Sequence, residues 1–270
     1  MVDMAAKRAA FRALHQKGCF VLPNPWDLGS ARLFQHMGFS ALASTSSGHA
    51  WTTGCPDYGV TLDTTLAHLT SLCAAVDLPV NADFEYGFAV EPQDVAANVT
   101  RAIATGVAGL SIEDTRPGGV ELYDLPFAVE RIGAARAAID ASGQDVILVA
   151  RTEGLLGGGA LNAAIDKLVA FAGAGADCLY APGVTRKDDI AVMVRAVAPK
   201  PLNVLMTAPG HSLAELADLG VRRISVGGAL ARVALGAVQK AAQQMLDGSF
   251  DGLAGAASGK TLNGIFARFD

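Results

Sequence analysis

At 270 residues, with 51% hydrophobic and only 17% charged side chains, the chain has apolar material for a large core, enough for one barrel-type domain or two small ones. A net charge of −5, a pI near 5.5 and no clustered Lys or Arg argue against nucleic acid or an anionic membrane surface as partner. The first twelve residues lack the apolar stretch of a secretory leader, and no run approaches the roughly 18 apolar residues of a membrane span. Four scattered cysteines (Cys19, Cys55, Cys73, Cys178) make neither a CxxC pair nor a disulfide framework, so reduced thiols in a cytoplasmic enzyme are expected.

Along the chain, short β-rich runs recur at Cys19–Leu22, Ala41–Thr45, Pro79–Asp83, Gly109–Glu113, Val146–Ala150, Cys178–Ala181, Leu202–Met206 and Arg223–Val226. Ala-rich stretches with helical spacing separate most of them: Asp94–Thr105, Pro126–Ala141, Leu161–Ala174, Lys187–Val197 and Ser212–Leu219. Gly106-Val107, Gly175-Ala176 and Gly220-Val221 supply glycine stops between a helix and the next strand. Eight such alternations predict a parallel sheet closed into a single (β/α)₈ TIM barrel, an α/β fold in one domain spanning 1–270. The barrel is placed at about residues 10–235. A C-terminal helical tail from about 236 to 270 ends in the apolar Ile265-Phe266, which predicts docking on the barrel or on a neighbouring subunit. An open doubly wound sheet is the alternative, but the first strand is not followed by phosphate-binding glycines.

A barrel of this kind carries its chemistry at the C-terminal ends of the strands. The third run ends in Asn81-Ala82-Asp83-Phe84-Glu85, and strand alternation would put Asn81, Asp83 and Glu85 on one face as a hard-cation site suited to Mg²⁺; a merely solvated strand end is the competing reading. Glu113, at the fourth strand's end, would stand beside them and complete the outer shell, against the alternative of a loop-solvating acid. Arg151 ends an otherwise apolar fifth strand, where a guanidinium needs an anion: a substrate carboxylate, an enolate oxygen, or a structural partner in Glu153 or Glu113. Ser46-Ser47-Gly48 follows the second strand as a loop whose hydroxyls and amides could cradle a carboxylate. Asp57, in Cys55-Pro56-Asp57-Tyr58-Gly59, reads as a turn acid. Asn203 lies near the start of the seventh strand, where lining the pocket and supporting the fold are equally open readings.

Taken in order, Asn24-Pro25-Trp26-Asp27, Ser47-Gly48, Pro56-Asp57, Asn81-Ala82-Asp83, Ile112-Glu113-Asp114 and Ala150-Arg151-Thr152-Glu153 resemble the isocitrate lyase/phosphoenolpyruvate mutase superfamily over about residues 10–235. The resemblance implies a (β/α)₈ barrel, with the last helix often swapped between subunits of a homo-dimer or homo-tetramer. It also implies Mg²⁺ (or Mn²⁺), and a small oxo- or hydroxycarboxylate or phosphonate substrate processed through a pyruvate-enolate-like species. Carried over, Asp83 would hold the metal, with Glu113 helping through water and Asp57 orienting the metal's waters or the substrate. Ser47 and Gly48, together with Ser46, would take the substrate carboxylate, and Arg151 would neutralise the enolate oxygen. Asn81 stands where the family usually has the first Asp of Asp-Ala-Asp, and Glu85 is the residue that could compensate as a metal ligand.

The family's lyases also carry a Lys-Lys-Cys-Gly-His signature after the fourth strand. Residues 115–124 here contain no Cys, Lys or His, which argues against isocitrate or methylisocitrate lyase activity. A Mg²⁺-dependent C–C lyase or decarboxylase on a small α-oxo or α-hydroxy (di)carboxylate survives that gap best. The alternatives are a phosphonomutase or phosphonopyruvate hydrolase breaking a P–C bond, and a barrel that binds an oxo acid without turnover.

Overall fold

A computed structural model describes residues 3–269. The chain opens with helix α1 (Met4–Leu14), followed by β1 (Phe20–Leu22), α2 (Leu28–His36), β2 (Leu42–Ala43), α3 (Ser46–Thr52), α4 (Leu62–Ala75) and β3 (Val80–Asp83). It continues through α5 (Pro92–Ala104), β4 (Gly109–Glu113), α6 (Leu125–Ala141), β5 (Ile147–Arg151), α7 (Leu161–Gly173) and β6 (Cys178–Tyr180). Then come α8 (Lys187–Val197), β7 (Leu202–Leu205), α9 (Leu213–Asp218), β8 (Arg223–Ser225), α10 (Ala229–Leu246), a 3₁₀ turn (Asp251–Gly255) and α11 (Gly259–Phe266).

The strands pair in parallel in the order β1-β8-β7-β6-β5-β4-β3-β2. The Ala43 N–H donates to Pro23 O across the remaining gap at 3.2 Å, so the sheet is a nearly closed eight-stranded (β/α)₈ barrel, as expected. The helices seal its outside through apolar stripes. In α5, for example, Val95, Val99, Ala102 and Ile103 share one face and are buried, each large side chain contributing about 1.5–3 kcal/mol.

Two segments depart from the sequence reading. The charged N-terminal stretch is helical: α1 buries Phe11 under the N-terminal end of the barrel, and the buried Lys7 Nζ donates to the Cys73 and Val76 carbonyls at 3.0 and 2.6 Å. Those carbonyls lie at the C-terminal end of α4, where a cation is favoured. The Ser46-Ser47-Gly48 stretch, expected as loop, is the start of α3, because the Thr45 side chain caps the first turn by accepting from Gly48 N–H. At the C-terminus α11 packs on α2 of its own chain, and Arg32 lies over the Phe269 ring at 5.2 Å. Among the described residues, no helix is long and apolar enough to cross a membrane.

Candidate active site

The C-terminal ends of β3, β4 and β5 bring Asp83, Glu113 and Arg151 together. Register pairs Glu113 with Arg151 directly, and Arg151 Nη1 lies 2.9 Å from Glu113 Oε1 and 3.4 Å from Asp83 Oδ1. The same guanidinium grips Glu153 with Nε and Nη2 and lies over the Tyr180 ring at 5.1 Å. Burial by itself would lower the Arg151 pKa, but Glu113 and Glu153 outweigh it and drive it up, so the cation is permanent.

Glu85 is the least conventional residue here. Strand alternation stops at Asp83 and the chain turns over Phe84–Gly87, leaving Glu85 at φ 45°, a conformation costly for a residue with a side chain. Its carbonyl accepts from Glu113 N–H at 2.9 Å, which fixes it beside β4. The shared-face expectation for Asn81, Asp83 and Glu85 is therefore replaced by a turn. Even so, Glu85 is delivered to the acid cluster: its side chain is 1% exposed, and neither carboxylate oxygen has a hydrogen-bond partner. Burial, then the charges of Asp83, Glu113 and Asp57, push its pKa up to about 8. Burial also pushes Glu113 up, against the pull of Arg151. With the guanidinium 2.9 Å away, Glu113 is taken as ionised, and the excess proton of the cluster is assigned to Glu85.

Asp57 stands at the exposed rim, its pKa raised by partial desolvation and then by Asp83. Ser46 directs both its N–H and its hydroxyl to Asp83 Oδ2, at 2.9 and 2.8 Å, and so orients that carboxylate. Gly48 N–H is taken by the Thr45 cap, whereas the Ser47 N–H, in the first turn of α3, has no acceptor within the helix. Asn81 and Asn203 lie deeper: the Asn81 Oδ1 accepts from Arg223 at 3.3 Å, and the Asn203 Nδ2 donates to Ser225 Oγ at 3.0 Å. Neither side chain joins the carboxylate cluster through a hydrogen bond.

The sequence reading missed Tyr58, Asp114 and Arg223. The Tyr58 hydroxyl donates to Glu113 Oε2 at 2.7 Å; burial and then Glu113 push its pKa up, so it remains a donor. Its ring packs under Gly119, at φ +74°, where a Cβ would come within 2.2 Å of the ring. That contact holds down a small hairpin over residues 115–122, closed by the Thr115–Leu122 bridge. Asp114 supports the rim from below, accepting from Thr152 Oγ1 at 2.7 Å and Glu153 N–H at 2.9 Å and pairing with Lys167. No local signal marked Tyr58, whose placement depends on a left-handed turn; Arg223 was detectable as a charge at an inward strand position.

Around one guanidinium thus stand five carboxylates, Asp57, Asp83, Glu85, Glu113 and Glu153, at the C-terminal mouth of a parallel barrel. Residues 11–246 match the family profile described as phosphoenolpyruvate phosphomutase. The chain belongs to the phosphoenolpyruvate mutase/isocitrate lyase superfamily. A Burkholderia cenocepacia protein described only as a lyase/mutase is 47% identical, with a TM-score of 0.94 over 98% of this chain and 97% of that one. A 2,3-dimethylmalate lyase of the superfamily is 28% identical, with a TM-score of 0.85 over 98% and 95%. An oxaloacetate decarboxylase of Bradyrhizobium sp. is 29% identical over 268 residues, 96% of this chain and 89% of that one. The chain is accordingly an enzyme of a superfamily of lyases, decarboxylases and mutases acting on oxo-acid substrates, whose members are generally dependent on a divalent metal.

The donor set fits such an ion. Among the described residues no three His, Cys, Asp or Glu side chains converge as a ready-made chelate. Mg²⁺ needs only one or two carboxylates and keeps water or substrate oxygens for the rest, so Asp83 and Glu85 would be enough as its protein donors. The unpartnered buried carboxylate of Glu85 beside Asp83 is the clearest reason to place a cation here.

Proposed function

We propose that this chain is a Mg²⁺-dependent lyase or decarboxylase that makes or breaks a C–C bond of a small α-oxo or α-hydroxy (di)carboxylate, through a pyruvate-enolate-like species. The observation that carries this reading is the surplus of buried negative charge: Glu85 has no partner, and Arg151 alone cannot neutralise Asp83, Glu113 and Glu153. Asp83 and Glu85, with Glu113 through water, are the residues that would hold Mg²⁺ or Mn²⁺. Asp57 orients the outer waters or the substrate from the rim. The ion supplies Lewis-acid stabilisation of charge developing on the substrate's oxo oxygen.

The protein's own groups do the rest. The Ser47 amide and hydroxyl, beside the Gly48 turn, receive the substrate carboxylate, and Ser46 holds Asp83 in register for it. Arg151, on exchanging its 3.4 Å contact with Asp83 for the substrate, meets the enolate oxygen as a preorganised cation. Tyr58 and the Gly119 hairpin cover the mouth, keeping water from the enolate. Asn203 supports the pocket floor through Ser225.

The test is pyruvate release from oxaloacetate and from phosphonopyruvate, each with Mg²⁺ and with EDTA. Release from oxaloacetate that EDTA abolishes supports the proposal. Release from phosphonopyruvate alone would move the chemistry to a P–C bond. Mg²⁺-dependent oxalate binding, with neither substrate turned over, would make the barrel a binder. We also infer a homo-dimer or homo-tetramer: α10 buries only Ala231 and leaves Leu235, Val238 and Leu246, which helical spacing puts on one side, at 51, 65 and 83% exposure, an apolar face suited to a second copy. Light scattering that gives a monomer would remove that inference.

A further inference from the structure

One layer below the carboxylates, the barrel interior holds a second guanidinium. Arg223 projects inward from β8 and is 3% exposed, yet among the described residues no carboxylate forms a salt bridge with it. Its Nη1 reaches across the barrel to the Asn81 Oδ1 at 3.3 Å, its guanidinium lies 5.9 Å from the centre of the Phe11 ring, and its Nε has no partner. Burial depresses its pKa, with Cys178, Tyr180 and Asp83 acting in the opposite sense. Gly109 makes the arrangement possible: a Cβ there would stand 2.8 Å from Asn81 Oδ1 and 2.7 Å from Phe11. A cavity of about 30 Å³ separates this layer from Asp83 and Arg151 and has room for a water molecule or two, so the charge of Arg223 faces the acid cluster with little between them.

Both ends of the Asn81 amide are engaged inside the barrel. Its oxygen serves Arg223 and its nitrogen donates to Ala82 O at 2.9 Å. A carboxylate at position 81 would meet a buried guanidinium before it met any ion above. Glu85, on the opposite side of Asp83 in sequence, is buried, strained in backbone and unpaired.

We propose that Arg223 holds position 81 away from the divalent ion and acts as a fixed internal cation that weakens its binding, so that Glu85 replaces position 81 as the carboxylate partner of Asp83. This deepens, and rests on, the metal-dependent reading above. Arg223 and Asn81 are positioning residues. The physical cause is Coulombic: two like charges in a poorly screened interior repel, and removing the monovalent one tightens the divalent one.

The experiment is a double-mutant cycle read by Mn²⁺ binding, with free Mn²⁺ measured by electron paramagnetic resonance in the absence of substrate. In the wild-type background Asn81→Asp is expected to change the Mn²⁺ Kd by less than about threefold, because the new carboxylate pairs with Arg223. Arg223→Met alone should tighten binding by about tenfold, and Asn81→Asp in that background should tighten it by about tenfold again. Glu85→Gln should weaken binding by about tenfold or more in every background.

The inference is overturned if Asn81→Asp tightens Mn²⁺ equally with and without Arg223, or if Glu85→Gln leaves the Kd unchanged. Should Arg223→Met fail to fold, Asn81→Asp in the wild-type background still decides: tightening of about tenfold contradicts the proposal and an unchanged Kd supports it. Wild-type protein that binds no Mn²⁺ at millimolar concentration would sink the metal reading and this inference with it. Wild-type binding with a failed cycle sinks the inference alone.

Discussion

Glu85 ties stability to pH in a direction opposite to that of most carboxylates. In the folded, metal-free protein its pKa is pushed from the ordinary 4.5 to about 8 by burial and by Asp83, Glu113 and Asp57. Between those two values the folded state holds a proton that the unfolded chain has released, so the stabilisation is complete below 4.5 and is lost as pH rises through 8. A displacement of that size corresponds to about 5 kcal/mol at most, and relaxation of the rim with entry of water leaves roughly 2–3 kcal/mol. At about 2–4 °C per kcal/mol for a chain of this length, the metal-free Tm should fall by roughly 4–12 °C between pH 5.5 and 8.5 through this group.

Saturating Mg²⁺ takes the place of the proton and should remove most of the decline at the alkaline end. Glu85→Gln, neutral at every pH, should flatten the metal-free profile and exceed wild type in metal-free Tm at pH 8.5, where Mg²⁺ should raise it less than it raises wild type. Thermal melts of both proteins by circular dichroism at five pH values, with and without Mg²⁺, make the comparison. Parallel wild-type and Glu85→Gln profiles would refute the reasoning, since no other change in the variant could mimic an ionisable Glu85.

Asp83→Ala should abolish Mg²⁺-dependent turnover while costing little stability, because the lost carboxylate relieves repulsion in the cluster as it frees Ser46; activity assays and a melt at pH 7 check both halves. Arg151→Met should lower kcat by about 10²-fold or more, and should also destabilise by roughly 3–5 kcal/mol, since Glu113 and Glu153 lose their shared cation in a buried site; a change confined to KM would reduce it to a substrate-binding group. Gly119→Ala forces a Cβ to within 2.2 Å of the Tyr58 ring at a positive φ, so the hairpin over residues 115–122 should lift. Faster limited proteolysis at that hairpin, with the global Tm nearly unchanged, is the expected result.

The barrel was legible because each β/α unit announces itself: β-rich runs separated by Ala-rich helical periods and closed by Gly at helix ends predicted all eight strands within a residue or two of their observed limits. The meeting of Asp83, Glu113 and Arg151 at the candidate site was legible for the same reason, since each ends its strand. What the sequence concealed depends on turns and on contacts between distant strands. Strand alternation does not extend to Glu85, which adopts φ 45°, so a turn and not the face of β3 brings it to the acid cluster. Tyr58 reaches Glu113 only because the connection before α4 folds back, and Arg223 reaches Asn81 only because the barrel closes. Ser46-Ser47-Gly48 read as loop because a Ser/Gly run carries no helical periodicity, and the short helix there starts only where the Thr45 side chain caps it.

The most direct measurement is a crystal structure of the protein with Mg²⁺ and oxalate, the latter standing in for the pyruvate enolate. The account predicts one ion about 2.0–2.1 Å from an oxygen of Asp83 or Glu85, with oxalate completing its shell and the Ser47 amide on a carboxylate oxygen. Oxalate bound elsewhere, or an ion that leaves Glu85 buried and unpaired, would contradict it.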